Sequence, residues 1–198
     1  MKRFFAGVAA GILVAFVGGG AIAVRGGLSA RPDPSATEVA VARKIRSWTM
    51  PSSARTLPNP LPASDPLLAR GRAHFADHCA SCHANDGSGR TELGRYLYPR
   101  APDLRAAATQ GFTDGELFWI IENGIRFTGM PAWGGAGKPE ESWKLVHFIR
   151  HLPRLTEAER LEMESLNPRS PEEWREMEHE EEFLRGGEPP PREAGAHH

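Results

Sequence analysis

Cysteine is scarce in this 198-residue chain: there are two, Cys79 and Cys82, both within "CASCH" at residues 79–83. A disulfide between residues this close would close too small a loop to stabilise much. A structural zinc site needs four ligands, typically a second Cys-x-x-Cys or paired histidines. No other cysteine exists, and His74 and His78 precede Cys79 on what should be the same helix. The sequence also lacks alternating strand and helix patterns, so a βαβ fold, and with it the context of a thioredoxin-like dithiol, is disfavoured. Nor is there a dense basic patch with interleaved aromatics, which argues against nucleic acid as a partner.

The formal net charge of −1 hides a segregation of charge along the chain. Residues 1–64 carry eight Lys and Arg against two acids, residues 65–153 carry ten of each, and residues 154–198 carry six against thirteen. One apolar run breaks the pattern. "FFAGVAAGILVAFVGGGAIAV", residues 4–24, follows Lys2-Arg3 without a charge. At about 1.5 Å per helical residue it just crosses a bilayer core of ~30 Å. Lys2 and Arg3 would stay on the cytoplasmic side, which exports the remainder. Ala21-Ile22-Ala23 also resembles a signal-processing site, so a cleaved leader is the rival to an anchor. Both readings export the rest of the chain to an oxidising compartment.

Four regions follow: an anchor or signal at 1–24, a Pro-rich tether at 25–64, a small helical domain at 65–153, and an acidic, partly disordered tail at 154–198. Prolines 32, 34, 51, 58, 60 and 62 make the tether extended rather than packed. Within it, "ATEVAVARKIRSW" places Val41, Ile45 and Trp48 at helical spacing, a short helix lying on the membrane or on the next domain. Asp65-Pro66 opens a helix that runs into "CASCH". Thr113-x-x-Glu116 is a capping box, and Asn123-Gly124 ends the helix it starts. A third helix over "PEESWKLVHFIRHL" closes at Pro153. In the tail, Thr156-x-x-Glu159 and Ser170-x-x-Glu173 are further capping boxes, and "GGEPPPREAGAHH" should be disordered. The acidic tail reads as a solvated helix and loose end, or as a docking site for a basic partner surface. A domain of about ninety residues with long loops has a marginal apolar core on its own, and a large buried cofactor would supply what is missing.

On a helix, Cys79, Cys82 and His83 lie at i, i+3 and i+4 and project from one face. That spacing suits a planar macrocycle laid across the face: two thiols add to two vinyl groups while the imidazole reaches the iron. Cys-x-x-Cys-His is the attachment signature of a c-type haem. A haem iron held by His83 has a sixth position to fill. Met130 lies 47 residues later in "FTGMPAWGG", a loop bracketed by Gly and Pro that could hold a thioether over the opposite face. Methionine sulfur is soft and neutral, favours Fe(II) and raises the potential. The bland reading of Met130 is a gap-filling core residue. Met50, Met163 and Met177 are rival thioethers, and His147 or His151 would give bis-histidine ligation.

These motifs resemble the class I c-type cytochromes, small all-α mono-haem proteins, here of a membrane-anchored bacterial type. The likeness covers about residues 65–153. Gly71-x-x-x-Phe75-x-x-x-Cys79 is similar to the family's first helix, whose glycine lets the last helix cross closely, with Trp143 or Phe148 as its partner. "HANDGSG" and "APDL" are similar to family loops, and "ENGIRFTGMPAW" to the family's methionine loop. The resemblance implies one haem c bound through Cys79 and Cys82, with axial His83 and Met130. It also implies a hydrogen bond from His83 Nδ1 to the Pro102 carbonyl, which would fix the ring and raise its basicity. Trp133 and Arg100 are candidate neighbours of the haem, the latter of a propionate.

The reading is then a single-electron carrier, not an enzyme, tethered to a membrane by its N-terminal helix and exchanging electrons with redox protein partners. A subunit of a larger membrane redox complex is the first alternative. A haem-based ligand sensor with an open sixth site is the second.

Overall fold

A computed structural model describes residues 1–26, 29–135 and 137–186. All regular structure among them is helical: α1 (Lys2–Gly26), α2 (Ala36–Thr49), α3 (Ser52–Thr56), α4 (Asp65–His74), α5 (Ala80–His83), α6 (Glu92–Tyr96), α7 (Ala107–Gln110), α8 (Asp114–Asn123), α9 (Pro139–His151), α10 (Glu157–Glu164) and α11 (Pro171–Leu184). A π-helical turn, Phe75–Cys79, joins α4 to α5, and a 3-10 turn, Leu152–Arg154, follows α9. The all-α fold expected from the sequence is what forms. The expected disorder of "GGEPPPREAGAHH" falls on residues 187–198, outside the described residues apart from Gly186.

The domain is built on the crossing of α4 and α9. At the crossing, a Cβ on Gly71 would stand 2.3 Å from the Lys144 carbonyl oxygen and 3.2 Å from Phe148 Cβ, so only glycine permits this approach. One turn later Phe75 meets Phe148, ring centroids 5.1 Å apart. Of the two partners expected for Gly71, Phe148 is therefore the one in place. Trp143 faces the other way and stacks on Phe118 of α8 at 4.0 Å and 8°. Burial of Phe75, Ala76, Leu117, Ile121, Trp143, Leu145, Val146, Phe148, Ile149 and Leu152 gives one continuous core. Arg150 clasps the α7–α8 turn to α9. Its guanidinium pairs with Asp114 at 2.8 Å and donates to the Gln110 and Phe112 carbonyls.

Three capping boxes seen in the sequence form as written, at Thr113/Glu116, Thr156/Glu159 and Ser170/Glu173. A fourth, Ser35/Glu38, starts α2.

Two regions depart from the expectation. Residues 50–61 are packed, not free tether: Met50 and Ala54 are buried, Asn59 Nδ2 donates to Trp143 O at 3.1 Å, and His147 Nε2 donates to Leu61 O at 3.0 Å. The prolines stiffen this strap against the domain instead of holding it away. The start of the acidic tail is packed too. Met163 of α10 is fully buried in the core, while Glu159 and Glu162 pair with Arg72 at 3.0 and 2.6 Å. Only α11 is as solvated as its composition implies, with no buried residue among those described.

The N-terminal α1 is long and apolar enough to cross a membrane, with a mean hydropathy of 1.7 over Arg3–Gly20 and none of that stretch buried against the protein.

Candidate haem site

The five residues of "CASCH" close the first long helix of the domain. The helix widens into its π turn at Phe75–Cys79 and tightens again over Ala80–His83, so the three chemical residues lie on one short stretch of winding. The two cysteines are not joined, and burial, with the Cys82 thiol beside it, pushes the Cys79 thiol up to about 12. Among the described residues no group of three or more His, Cys, Asp and Glu side chains could hold a metal ion, so the zinc reading gains no second half.

After His83 the chain turns sharply. Ala84 has φ 59, and the Gly87 and Gly89 amides bond back to the Ala84 and His83 carbonyls. Gly89 sits at φ 72, and a Cβ there would lie 2.3 Å from Ala101 O. This glycine lets residues 101–102 lie directly across the turn, and Leu104 N donates to Gly87 O at 2.8 Å to hold them there. The result is that Pro102 O faces His83 Nδ1 at 3.4 Å. A carbonyl oxygen only accepts, so the contact selects the tautomer with hydrogen on Nδ1 and leaves the Nε2 lone pair free. Burial lowers the pKa of His83, only partly opposed by the Pro102 carbonyl. Burial keeps the ring neutral, and the Pro102 contact fixes the tautomer whose Nε2 can bind a metal.

The "TGMPAW" loop is pinned beside this turn at both ends. On one side α6 lies against α5: Thr91 caps α6 and donates to Cys82 O at 3.1 Å. Leu97, just beyond α6, lies against Gly129, where a Cβ would come within 2.6 Å of it. On the other side Trp133 packs on His78, the residue before Cys79, with ring centroids 5.5 Å apart. Between these points Met130 N is held by Thr128 Oγ1 and Met130 O by the Ile125 amide, both at 3.1 Å. Met130 is half-buried.

The rival ligands are engaged elsewhere. His147 is tied to Leu61 O, and His151 Nε2 donates to Glu159 at 2.9 Å. Met50 and Met163 are buried in packing, and Met177 accepts from Arg169 on the acidic tail. Arg100 pairs with Asp33 at 3.0 Å, so its salt bridge goes to the segment before α2.

Haem suits this donor set: paired reduced thiols, an oriented neutral imidazole, and a thioether loop fastened next to them. The surrounding apolar surface agrees, because Leu93, Tyr96, Phe127 and Trp133 all remain exposed around the turn and the loop. Thr91 and Leu97 escaped the sequence reading, and Gly89 entered it only as the last residue of the "HANDGSG" loop. Thr91-Glu92 has the look of a helix start, while Gly89 and Leu97 matter through contacts that no local pattern announces.

Comparison with known proteins points the same way. Residues 66–149 match the family described as cytochrome C oxidase, cbb3-type, subunit III. The chain is 37% identical over 91 residues to the cbb3-type cytochrome c oxidase subunit FixPc of Rhizobium leguminosarum bv. viciae, covering 45% of this chain and 29% of that protein. It is 38% identical over 73 residues to subunit FixP of Sinorhizobium medicae, covering 36% of this chain and 23% of that protein. The match thus spans less than a third of these relatives' length. Over the matched helical domain, with its Cys-x-x-Cys-His turn, this chain is similar to these cbb3-type cytochrome c oxidase subunits.

Proposed function

We propose that the chain is a membrane-anchored carrier of single electrons, with one haem c bound through Cys79 and Cys82 and with His83 and Met130 as axial ligands. When bound, the haem supplies an iron centre that takes up and returns one electron. The protein's own residues set the terms. Pro102 O holds the His83 proton on Nδ1 and so leaves the Nε2 lone pair for the iron. The Thr128–Met130 and Ile125–Met130 bonds fix the thioether's backbone, and a neutral sulfur ligand favours the reduced state. Two committed ligands leave no open position for oxygen, which suits transfer and not catalysis. The helix α1 supports attachment to a bacterial inner membrane, and Lys2-Arg3 at its start favours a haem domain on the periplasmic side.

The observation that carries this reading is the joint placement of the "CASCH" turn, Pro102 O and the doubly pinned methionine loop. The family match favours a more specific form, in which the chain serves as the electron-transfer subunit of a larger membrane redox complex. Redox titration of the purified chain tests the core of the proposal. One haem per chain, a one-electron Nernst curve and no carbon monoxide binding in the reduced state are expected. Carbon monoxide binding to the reduced wild type would point to the open-site sensor instead. Solubilisation in mild detergent separates the two carrier forms, since a lone species would count against the subunit.

A further inference from the structure

The helix α2 has two faces that do different things. Val39 and Arg46 are half-buried and Met50, just past its end, is fully buried, all on the side turned toward the haem domain. Arg46 lies over the Phe112 ring at 4.7 Å, Arg55 donates to Ser47 O, and Glu38 accepts from Tyr98 Oη at 2.9 Å. Asp33, just before the helix, pairs with Arg100. The helix is therefore strapped to the domain from the α7–α8 turn to the 98–102 loop that carries Pro102. Roughly opposite, Val41, Ile45 and Trp48 form an apolar stripe, exposed by 52, 52 and 73%. At 100° per residue the stripe spans about 60° of the helix surface.

We propose that this stripe lies in the surface of the bilayer that α1 enters, so that α2 docks the haem domain on the membrane at a fixed orientation. This rests on the anchored reading of α1. Nine residues separate Gly26 from Ala36, so α2 begins no more than about 35 Å of extended chain from the membrane exit. Between residues 25 and 49 there are five basic side chains against two acidic ones, the sign that anionic headgroups attract. Lys44 flanks the stripe with Nζ 5.2 Å from the centre of the Trp48 ring, a cation and an indole placed together as at a headgroup boundary. A flat apolar stripe with a basic edge and a tryptophan fits a lipid surface. Because the far side of α2 is bonded to the domain, lipid contact would hold the whole domain, where a free tether would let it rotate.

The experiment uses the full haem-loaded chain in vesicles of phosphatidylcholine and phosphatidylglycerol, with Ile45→Cys spin-labelled and the haem reduced to remove its paramagnetism. Glu180→Cys on α11 serves as the water-exposed reference. The expected result is co-flotation with vesicles, together with loss of collisions with a water-soluble nickel chelate at position 45 and retained collisions with oxygen. Flotation with chelate access at 45 equal to that at 180 would overturn the inference while leaving the anchored reading intact. Spin–spin broadening that disappears on dilution with unlabelled chain would overturn it in favour of a second copy on the stripe. Failure to float would remove the anchored reading itself, and the inference with it. In the variant V41S/I45S/W48S, whose changes are confined to exposed positions, polarised absorption of oriented bilayers should show the haem losing a dichroism that the wild type has. Unchanged dichroism would overturn the docking role.

Discussion

Replacing Gly71 by alanine sets two effects against each other, and the α4–α9 crossing decides which wins. Alanine in an exposed helix interior is better than glycine by about 1 kcal/mol. At Gly71 the new Cβ would stand 2.3 Å from Lys144 O and 2.9 Å from its carbonyl carbon, both rigid backbone atoms of α9. Neither can rotate away, so the two helices must separate by something near an ångström. Overpacking of this kind costs about 1–3 kcal/mol. Separation also loosens the Phe75–Phe148 pair behind the crossing, an aromatic contact of about 0.5–1.5 kcal/mol. The sum, less the helix-propensity gain, is a net destabilisation of about 2 kcal/mol, or a fall in melting temperature of roughly 10 °C for a domain of this size. Gly71→Val should be worse, since its branches enter the same space. Thermal unfolding of the haem-loaded protein, followed by circular dichroism and by haem absorption, measures both variants. A Gly71→Ala protein as stable as wild type, or more so, would refute the close crossing.

Three further outcomes follow from other contacts. Trp143→Ala should cost about 3–5 kcal/mol in denaturant titration, because the indole is buried and stacked on Phe118. Phe118→Ala in the same background should add less than it does alone. Glu159 is held down to about 2, with burial opposing and the Thr156 amide, His151 and the Thr156 hydroxyl prevailing. A depressed carboxylate stabilises the fold above its unfolded pKa of 4.5, by about 3 kcal/mol at ~1.4 kcal/mol per unit. More than half of this is lost as pH falls to 3. Glu159→Gln should therefore be less stable at pH 6 and show a flatter decline between pH 5 and 3. A wild-type decline that Glu159→Gln reproduces in full would assign acid sensitivity elsewhere. Gly89→Val should disturb the histidine side of the site, because a Cβ there strikes Ala101 O. Haem incorporation measured per chain is expected to fall well below that of the wild type, and full incorporation would show that the 101–102 segment can move aside.

What the sequence made legible was local. Asp65-Pro66, Thr113/Glu116, Asn123-Gly124 and Pro153 mark boundaries through backbone chemistry within a few residues, and the structure places helix ends at or next to each. The "CASCH" turn is local in the same sense, its three side chains set by one stretch of helix. Longer-range features were less visible. The prolines of residues 50–61 read as an extended linker, yet proline says only that the segment is stiff, not what it lies on. Its docking depends on Ala54 meeting α8 and Asn59 meeting α9 in space. Met163 was one acidic-tail methionine among others until α10 folded back and Arg72 paired with Glu159 and Glu162. Gly71 against α9 was anticipated only through resemblance, since spacing alone does not reveal which helix crosses it.

Optical spectroscopy of the oxidised, haem-loaded protein reaches the central claim most directly. The account predicts an iron–sulfur charge-transfer band in the wild type that disappears in Met130→Ala and persists in Met163→Leu and Met177→Leu. A band that survives Met130→Ala, or a wild-type spectrum with no such band, would contradict the pairing of His83 with Met130.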